Sequence, residues 1–168
     1  MLDVALEVLE SDGLEHLSLG EVARRLGIKT PSLYKHVEGK ADLELGLVEQ
    51  GFRRFTAEVE SALGAVPDTA DRRTRVAAYA AAYRGFALGH PQLYRLMNDR
   101  PIDRSRLAPG VETRAALALY RLLPDVDLGR STWAWAHGLA MLEIAGRFPD
   151  GADIDAAWAV LVDVVTGA

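Results

Sequence analysis

The segment Ser18–Lys40, Ser-Leu-Gly-Glu-Val-Ala-Arg-Arg-Leu-Gly-Ile-Lys-Thr-Pro-Ser-Leu-Tyr-Lys-His-Val-Glu-Gly-Lys, leaves the backbone little choice. Leu19, Val22, Ala23 and Leu26 recur at i, i+3, i+4 and i+7, which places one apolar stripe on a short helix. Ser18 offers an N-cap oxygen, and Glu21 three residues on completes a capping-box pattern. Gly27 tolerates the left-handed backbone that ends such a helix. Thr30-Pro31 restarts helix, with Thr30 expected as cap and Pro31 at the first helical position. Helix, glycine turn, helix is the arrangement of a DNA reader whose second helix enters the major groove.

Charge changes sign on the same segment. From Met1 to Ala23 the chain carries acids but neither Lys nor Arg, whereas Arg24, Arg25, Lys29, Lys35 and Lys40 then face only Glu38. Phosphates would need neutralising there. The net charge of −5 excludes a globally basic, histone-like binder but not a reader with localised cations.

Around this unit the periodicity stays helical. Leu2, Ala5, Leu6 and Leu9 predict a helix over 2–12 ended by Asp12-Gly13, with Leu17, Ile28, Leu33 and Val37 completing a three-helix core. Almost nothing precedes that helix, so a basic arm for the minor groove is expected to be missing. A long helix opens at Lys40 and extends to about 63, carrying Leu43, Leu47, Phe52, Phe55, Val59 and Leu63. Glu49–Arg53 and Arg54–Glu58 are spaced for i, i+4 ion pairs. Helices are expected over 69–89, 92–98, 111–123, 128–147 and 154–166, and 99–110 reads as a mobile loop. No two-residue alternation occurs, so the chain is read as all-α.

The 168 residues suit one domain or a small module on a larger one, and a hydrophobic content of 49% supplies a core. No apolar run reaches the length of a membrane span, and no secretory leader is seen. The absence of cysteine excludes disulfides and thiolate metal sites and fits a cytoplasmic protein. Catalytic patterns are missing: His16, His36, His90 and His137 lack metal-ligand spacing, and neither a nucleophile elbow nor a phosphate loop occurs. His137 and Glu143 lie six apart, on different sides of a helix. Neither an enzyme nor a cofactor is expected.

The opening segment resembles the DNA-binding domain of the TetR family of transcriptional regulators. The matching residues are Ala5, Leu9, Gly13, Leu17, Ser18, Val22, Ala23, Leu26, Gly27, Ile28, Pro31, Ser32, Leu33, Tyr34, His36, Val37 and Lys40. Farther on, Trp133-Ala-Trp-Ala-His137-Gly138-Leu-Ala-Met-Leu-Glu143 with Gly146-Arg147-Phe148 is similar to the Trp-His-Gly type of C-terminal domain in that family. The resemblance implies a DNA-binding domain over 1–45 and a ligand-binding and dimerisation domain over 46–168. It implies a ligand-responsive regulator, expected to be a repressor, that binds a palindromic operator in double-stranded DNA as a homodimer. A small apolar or aromatic effector would shift or release it.

Site residues follow by the same resemblance. Ser18, Tyr34, His36 and Lys40 would bind backbone phosphates, and Thr30, Pro31, Ser32 and Lys35 would face base edges. Lys29, in the turn, would reach phosphate or base. Gly20 departs from relatives that carry a longer, base-reaching side chain there, so readout should rest on residues 29–35, which contain no arginine for guanine. Tyr79, Tyr83, Phe86, Tyr94, Met97, Tyr120, Trp133, His137 and Met141 lie on helices that line the family's pocket. Trp158, Leu161, Val162 and Val165, an i, i+3, i+4, i+7 stripe, would suit the dimer interface, although an intramolecular core helix looks the same. The competing reading is a helical protein-interaction module with a vestigial reader, which the acidic first helix keeps open.

Overall fold

The structure is a computed structural model and describes residues 1–167. Its helices are α1 (Leu2–Asp12), α2 (Leu19–Leu26), a 3₁₀ helix (Thr30–Lys35), α3 (Lys40–Gly64), α4 (Arg72–Gly89), α5 (Pro91–Asn98), α6 (Val111–Leu122), α7 (Val126–Ile144) and α8 (Ile154–Thr166). Among the described residues there is no strand, and no helix is long and apolar enough to cross a membrane. The chain forms two compact units: Met1–Arg54 with His90–Val111, and Phe55–Gly89 with the chain from Glu112 onward. Helix α3 therefore runs through both.

The first unit is built on the apolar stripes of α1 and α2. Ala5, Val8, Leu9, Leu17, Val22, Leu33, Leu43 and Leu47 are fully buried in it. Ile28, expected in this core, is instead exposed. It follows Gly27, whose φ of 68° turns the chain, and its N–H closes the helix on Ala23 O at 3.0 Å while its side chain faces outward. Helix α5 belongs to this unit because Glu10 caps it: the carboxylate accepts from Gln92 N at 3.1 Å and Leu93 N at 2.9 Å, replacing absent helical partners.

Residues 99–110 are not the loose loop that their composition implies. Arg106 reaches Asp42 at 2.9 Å, Arg100 approaches Glu44 at 3.5 Å, and Glu49 accepts from Ala108 N at 2.6 Å. Asp42, Glu44 and Glu49 all lie on α3, so its acidic side straps the loop down. Glu49 also keeps the expected pair with Arg53, at 2.7 Å, whereas Arg54 reaches Asp3 on α1 at 3.2 Å.

The second unit buries an aromatic cluster. The Phe55 ring meets Tyr83 and Phe86 edge-on, with centroids 5.5 and 5.4 Å apart, and Tyr83 stands 6.3 Å from Trp158. Arg84 on α4 binds Glu143 at 2.6 Å and Asp155 at 2.5 Å, and its guanidinium lies 5.9 Å from the centre of the Trp158 ring. Trp158 Nε1 donates to the same Glu143 at 3.3 Å. One arginine thus ties α4 to α7 and α8.

Candidate nucleic-acid interface

The reader begins at Ser18, whose backbone is extended and whose Oγ accepts from the N–H of Glu21 at 3.1 Å. Only that half of the capping box forms. The Glu21 carboxylate turns instead to Arg24, at 2.6 Å, and Arg25, at 2.9 Å. Arg25 also pairs with Asp12. Hydrogen bonds from Arg24 and then Arg25 hold the Glu21 carboxyl well below the usual carboxylate range, at about 2. The two arginines are therefore largely neutralised by local acids and contribute little net positive field.

The second reader element is 3₁₀ rather than α. Ser32 N bonds Lys29 O at 2.9 Å, and His36 N bonds Leu33 O at 2.8 Å. Pro31 lacks an N–H, and the element spans only six residues. Lys29 occupies the cap position without a side-chain cap bond, so Thr30 is its first residue and not its cap. Leu33 and Val37 turn inward, whereas Lys29, Pro31, Ser32, Tyr34, Lys35 and His36 turn outward; Thr30 is half-buried. Tyr34 is 58% exposed and takes no part in the core.

Lys40 opens α3, and its ammonium donates to Leu14 O at 3.0 Å with Glu44 at 3.9 Å. It fastens the α1–α2 connection while remaining partly exposed. Of the five bases of the sequence switch, Lys29 and Lys35 are the ones without an ion pair or side-chain hydrogen bond among the described residues. Side by side with Ser32, Tyr34 and His36, they form an exposed polar and cationic surface on a small rigid support.

The residues expected to line a ligand pocket are divided between the units. Tyr94 and Met97 are buried in the first. Tyr79, Tyr83 and Phe86 are buried in the second, where Tyr83 and Phe86 pack in the aromatic cluster; burial pushes the Tyr79 hydroxyl far above its ordinary pKa. Tyr120 covers Gly129, and Trp133 lies over His137 with centroids 6.1 Å apart. Met141 is half-buried on the same side of α7. None of these nine lines the cavity of about 630 Å³ in the second unit. That open cleft is lined by Glu60 and Leu63 of α3, Arg72 and Arg75 of α4, Arg114, Ala118, Arg121 and Leu122 of α6, and Leu123-Pro124.

The stripe Trp158, Leu161, Val162 and Val165 is also placed differently from the expectation. All four side chains are buried in their own chain, Trp158 against Tyr83 and Arg84, so they are not available to a partner. The far side of α8 carries exposed Val160 and Val164, and α7 carries exposed Trp135 and Leu142. An amphipathic period identifies an apolar face but not which body covers it. Among the described residues no group of three or more His, Cys, Asp or Glu side chains could hold a metal ion.

An all-helical chain with a capped helix-turn-helix and an outward cationic surface defines the class of helix-turn-helix DNA-binding proteins. Residues 1–45 match the family model for bacterial regulatory proteins of the tetR family, and residues 76–165 match that for the tetracyclin repressor-like C-terminal domain. The chain belongs to the TetR family of transcriptional regulators, which bind DNA and are not enzymes. It is 28% identical, over 96% of its length and 76% of the relative's, to an uncharacterised helix-turn-helix-type transcriptional regulator of Mycobacterium tuberculosis. A helix-turn-helix-type transcriptional repressor of Streptomyces coeruleorubidus is 33% identical over 76% of this chain and 45% of its own. A Rhodococcus protein of unknown function superposes with a TM-score of 0.82 at 30% identity, covering 98% of this chain and 93% of the other.

Proposed function

We propose that this chain is a ligand-responsive repressor that binds a palindromic operator as a homodimer. The observation that carries the reading is the exposed row Lys29, Ser32, Tyr34, Lys35 and His36 on a capped helix-turn-helix, with the neighbouring arginines already neutralised. Lys35 and Ser32 read base edges with Thr30 and Pro31; Tyr34, His36, Ser18 and Lys40 hold phosphates; Lys29 serves either. Dimerisation uses the exposed apolar side of the last two helices, Trp135 and Leu142 on α7 with Val160 and Val164 on α8. A helix-turn-helix dimer reads half-sites about 34–36 Å apart, the spacing expected of this operator. The similarity to a named repressor of Streptomyces coeruleorubidus supports the sign of regulation.

Switching requires a ligand that favours one arrangement of the chain over another. The chain passes between its units at 54–55, 89–90 and 111–112. On the reader side each crossing is anchored: Arg54 to Asp3, α5 to Glu10, and Ala108 to Glu49. A displacement imposed in the second unit is therefore delivered to the reader through firmly held ends, with a coupling typically of ~1–3 kcal/mol.

The test is selection of random duplexes on the full chain, followed by fluorescence anisotropy at several salt concentrations. An inverted repeat should be enriched. Lys29→Ala with Lys40→Ala should weaken binding to every duplex and flatten the log–log salt slope by about 1–2, near 0.9 per lost phosphate contact, whereas Lys35→Ala should alter sequence preference instead. Enrichment without inverted symmetry, or an unchanged slope in the double variant, sinks the reading.

A further inference from the structure

Most arginines in this protein are matched to an acid. Arg24, Arg25, Arg53, Arg54, Arg73, Arg84, Arg100, Arg106 and Arg130 each reach a carboxylate. The four that line the cleft of the second unit, Arg72, Arg75, Arg114 and Arg121, make no ion pair and no side-chain hydrogen bond among the described residues. Arg75 Nε is shut off from solvent with no partner at all, which ordinarily costs ~1–3 kcal/mol. Arg72 and Arg75 also sit in the first turn of α4, where the helix dipole already presents positive charge and disfavours cations. Three separate costs thus fall on one cavity in a chain whose net charge is −5.

We infer that this cleft binds a small molecule bearing a multivalent oxyanion, phosphoryl or polycarboxylate, joined to an apolar body; the inference rests on the effector-responsive reading above and names its ligand class. Guanidinium groups grip such oxygens with paired, charge-assisted hydrogen bonds, and Arg75, half-buried with an unsatisfied Nε, gains an acceptor if its side chain turns into the cleft on binding. Leu63, Leu122 and Pro124 offer the apolar wall, and about 630 Å³ suits an ordinary metabolite. Glu60, the acid among the lining residues, selects against anions that crowd its side of the cleft. The site joins the end of α3, which continues into the reader, to α4 and α6, whose chain neighbours are α5 and the strapped loop. Drawing the arginines together around an anion changes the spacing of those elements, and that is what an effector must do.

Pyrophosphate and citrate serve as probes of the two head-group chemistries. Thermal unfolding of the full chain is followed at constant ionic strength, with sodium chloride as control and glycerol as the uncharged control. At 100 times its dissociation constant either probe raises stability by about 2.7 kcal/mol, that constant-ratio shift being the readout. The double variant Arg114→Gln/Arg121→Gln, whose side chains are exposed and whose unliganded stability should be equal or slightly higher, should lose at least tenfold in probe affinity. Arg75→Gln, half-buried, is the second variant, and its loss should match. Lys29→Ala/Lys35→Ala should retain the shift, because those lysines belong to the DNA surface. Absence of a shift with both probes, or a shift lost in the lysine variant and kept in the cleft variants, overturns the inference. Operator affinity measured in the same samples separates the two claims: intact DNA binding without probe binding defeats only the ligand assignment. Tight probe binding that leaves operator affinity unchanged upholds the anion site and defeats its role as effector site.

Discussion

The reader and the cleft both concentrate arginine, and they treat it in opposite ways. On α2, Glu21 and Asp12 absorb Arg24 and Arg25 so fully that the Glu21 carboxyl falls to about 2. In the cleft, Arg72, Arg75, Arg114 and Arg121 stand together without an acid bonded to them. A run of bases in a sequence is thus no measure of available positive charge. The sequence concentrates five bases in the reader, but the lysines Lys29 and Lys35 carry its unpaired charge; the cleft gathers its four from two stretches of chain, α4 and α6.

The contrast can be broken most forcefully at Arg84, the paired arginine of the second unit. Arg84→Ala strands Glu143 and removes a bridge from α4 to α7 and α8, so unfolding should become easier by about 2 kcal/mol, read from denaturant midpoints. A loss comparable to that of a cleft arginine would mean that pairing is not what distinguishes the two groups. Glu21→Gln comes next. It releases Arg24 and Arg25, so affinity for random duplex at low salt should rise about twofold while sequence preference stays put. The same carboxylate sets an acid limit: because its pKa is depressed on folding, its support is complete above the usual carboxylate range and is lost as pH falls towards about 2. A chemical-shift titration that placed Glu21 near 4 would deny the neutralisation. The smallest effect belongs to Arg121→Gln, which relieves like-charge repulsion and should leave unliganded stability equal or higher by roughly 0.2–0.5 kcal/mol. Clear destabilisation would show that Arg121 is structural.

The fold was legible because its signals are local. Ser18, Gly27, Gly13 and the four-residue stripes act within one turn of where they stand, and α1, α2 and α8 begin and end where those residues place them. What escaped depends on partners remote in sequence. The loop at 99–110 looks mobile until Asp42, Glu44 and Glu49 arrive from α3. The stripe on α8 announces burial without saying against what, and here it meets Tyr83 and Arg84 of its own chain. Tyr83 and Phe86 are pocket-like in type, yet Phe55 fills the space between them. The cleft had one signal in the sequence, Arg72, Arg73 and Arg75 at a helix start against the dipole, and its other half lies on α6 some forty residues away.

Gly20 carries a consequence of another kind. It lies in the first turn of α2 on an exposed face, and a Cβ built there would meet only Ser18 Oγ, at 3.9 Å. The scaffold therefore holds an unwritten letter. A side chain can begin at that position without a clash at its Cβ, so the recognition repertoire can diversify there by single substitutions at little cost to the fold.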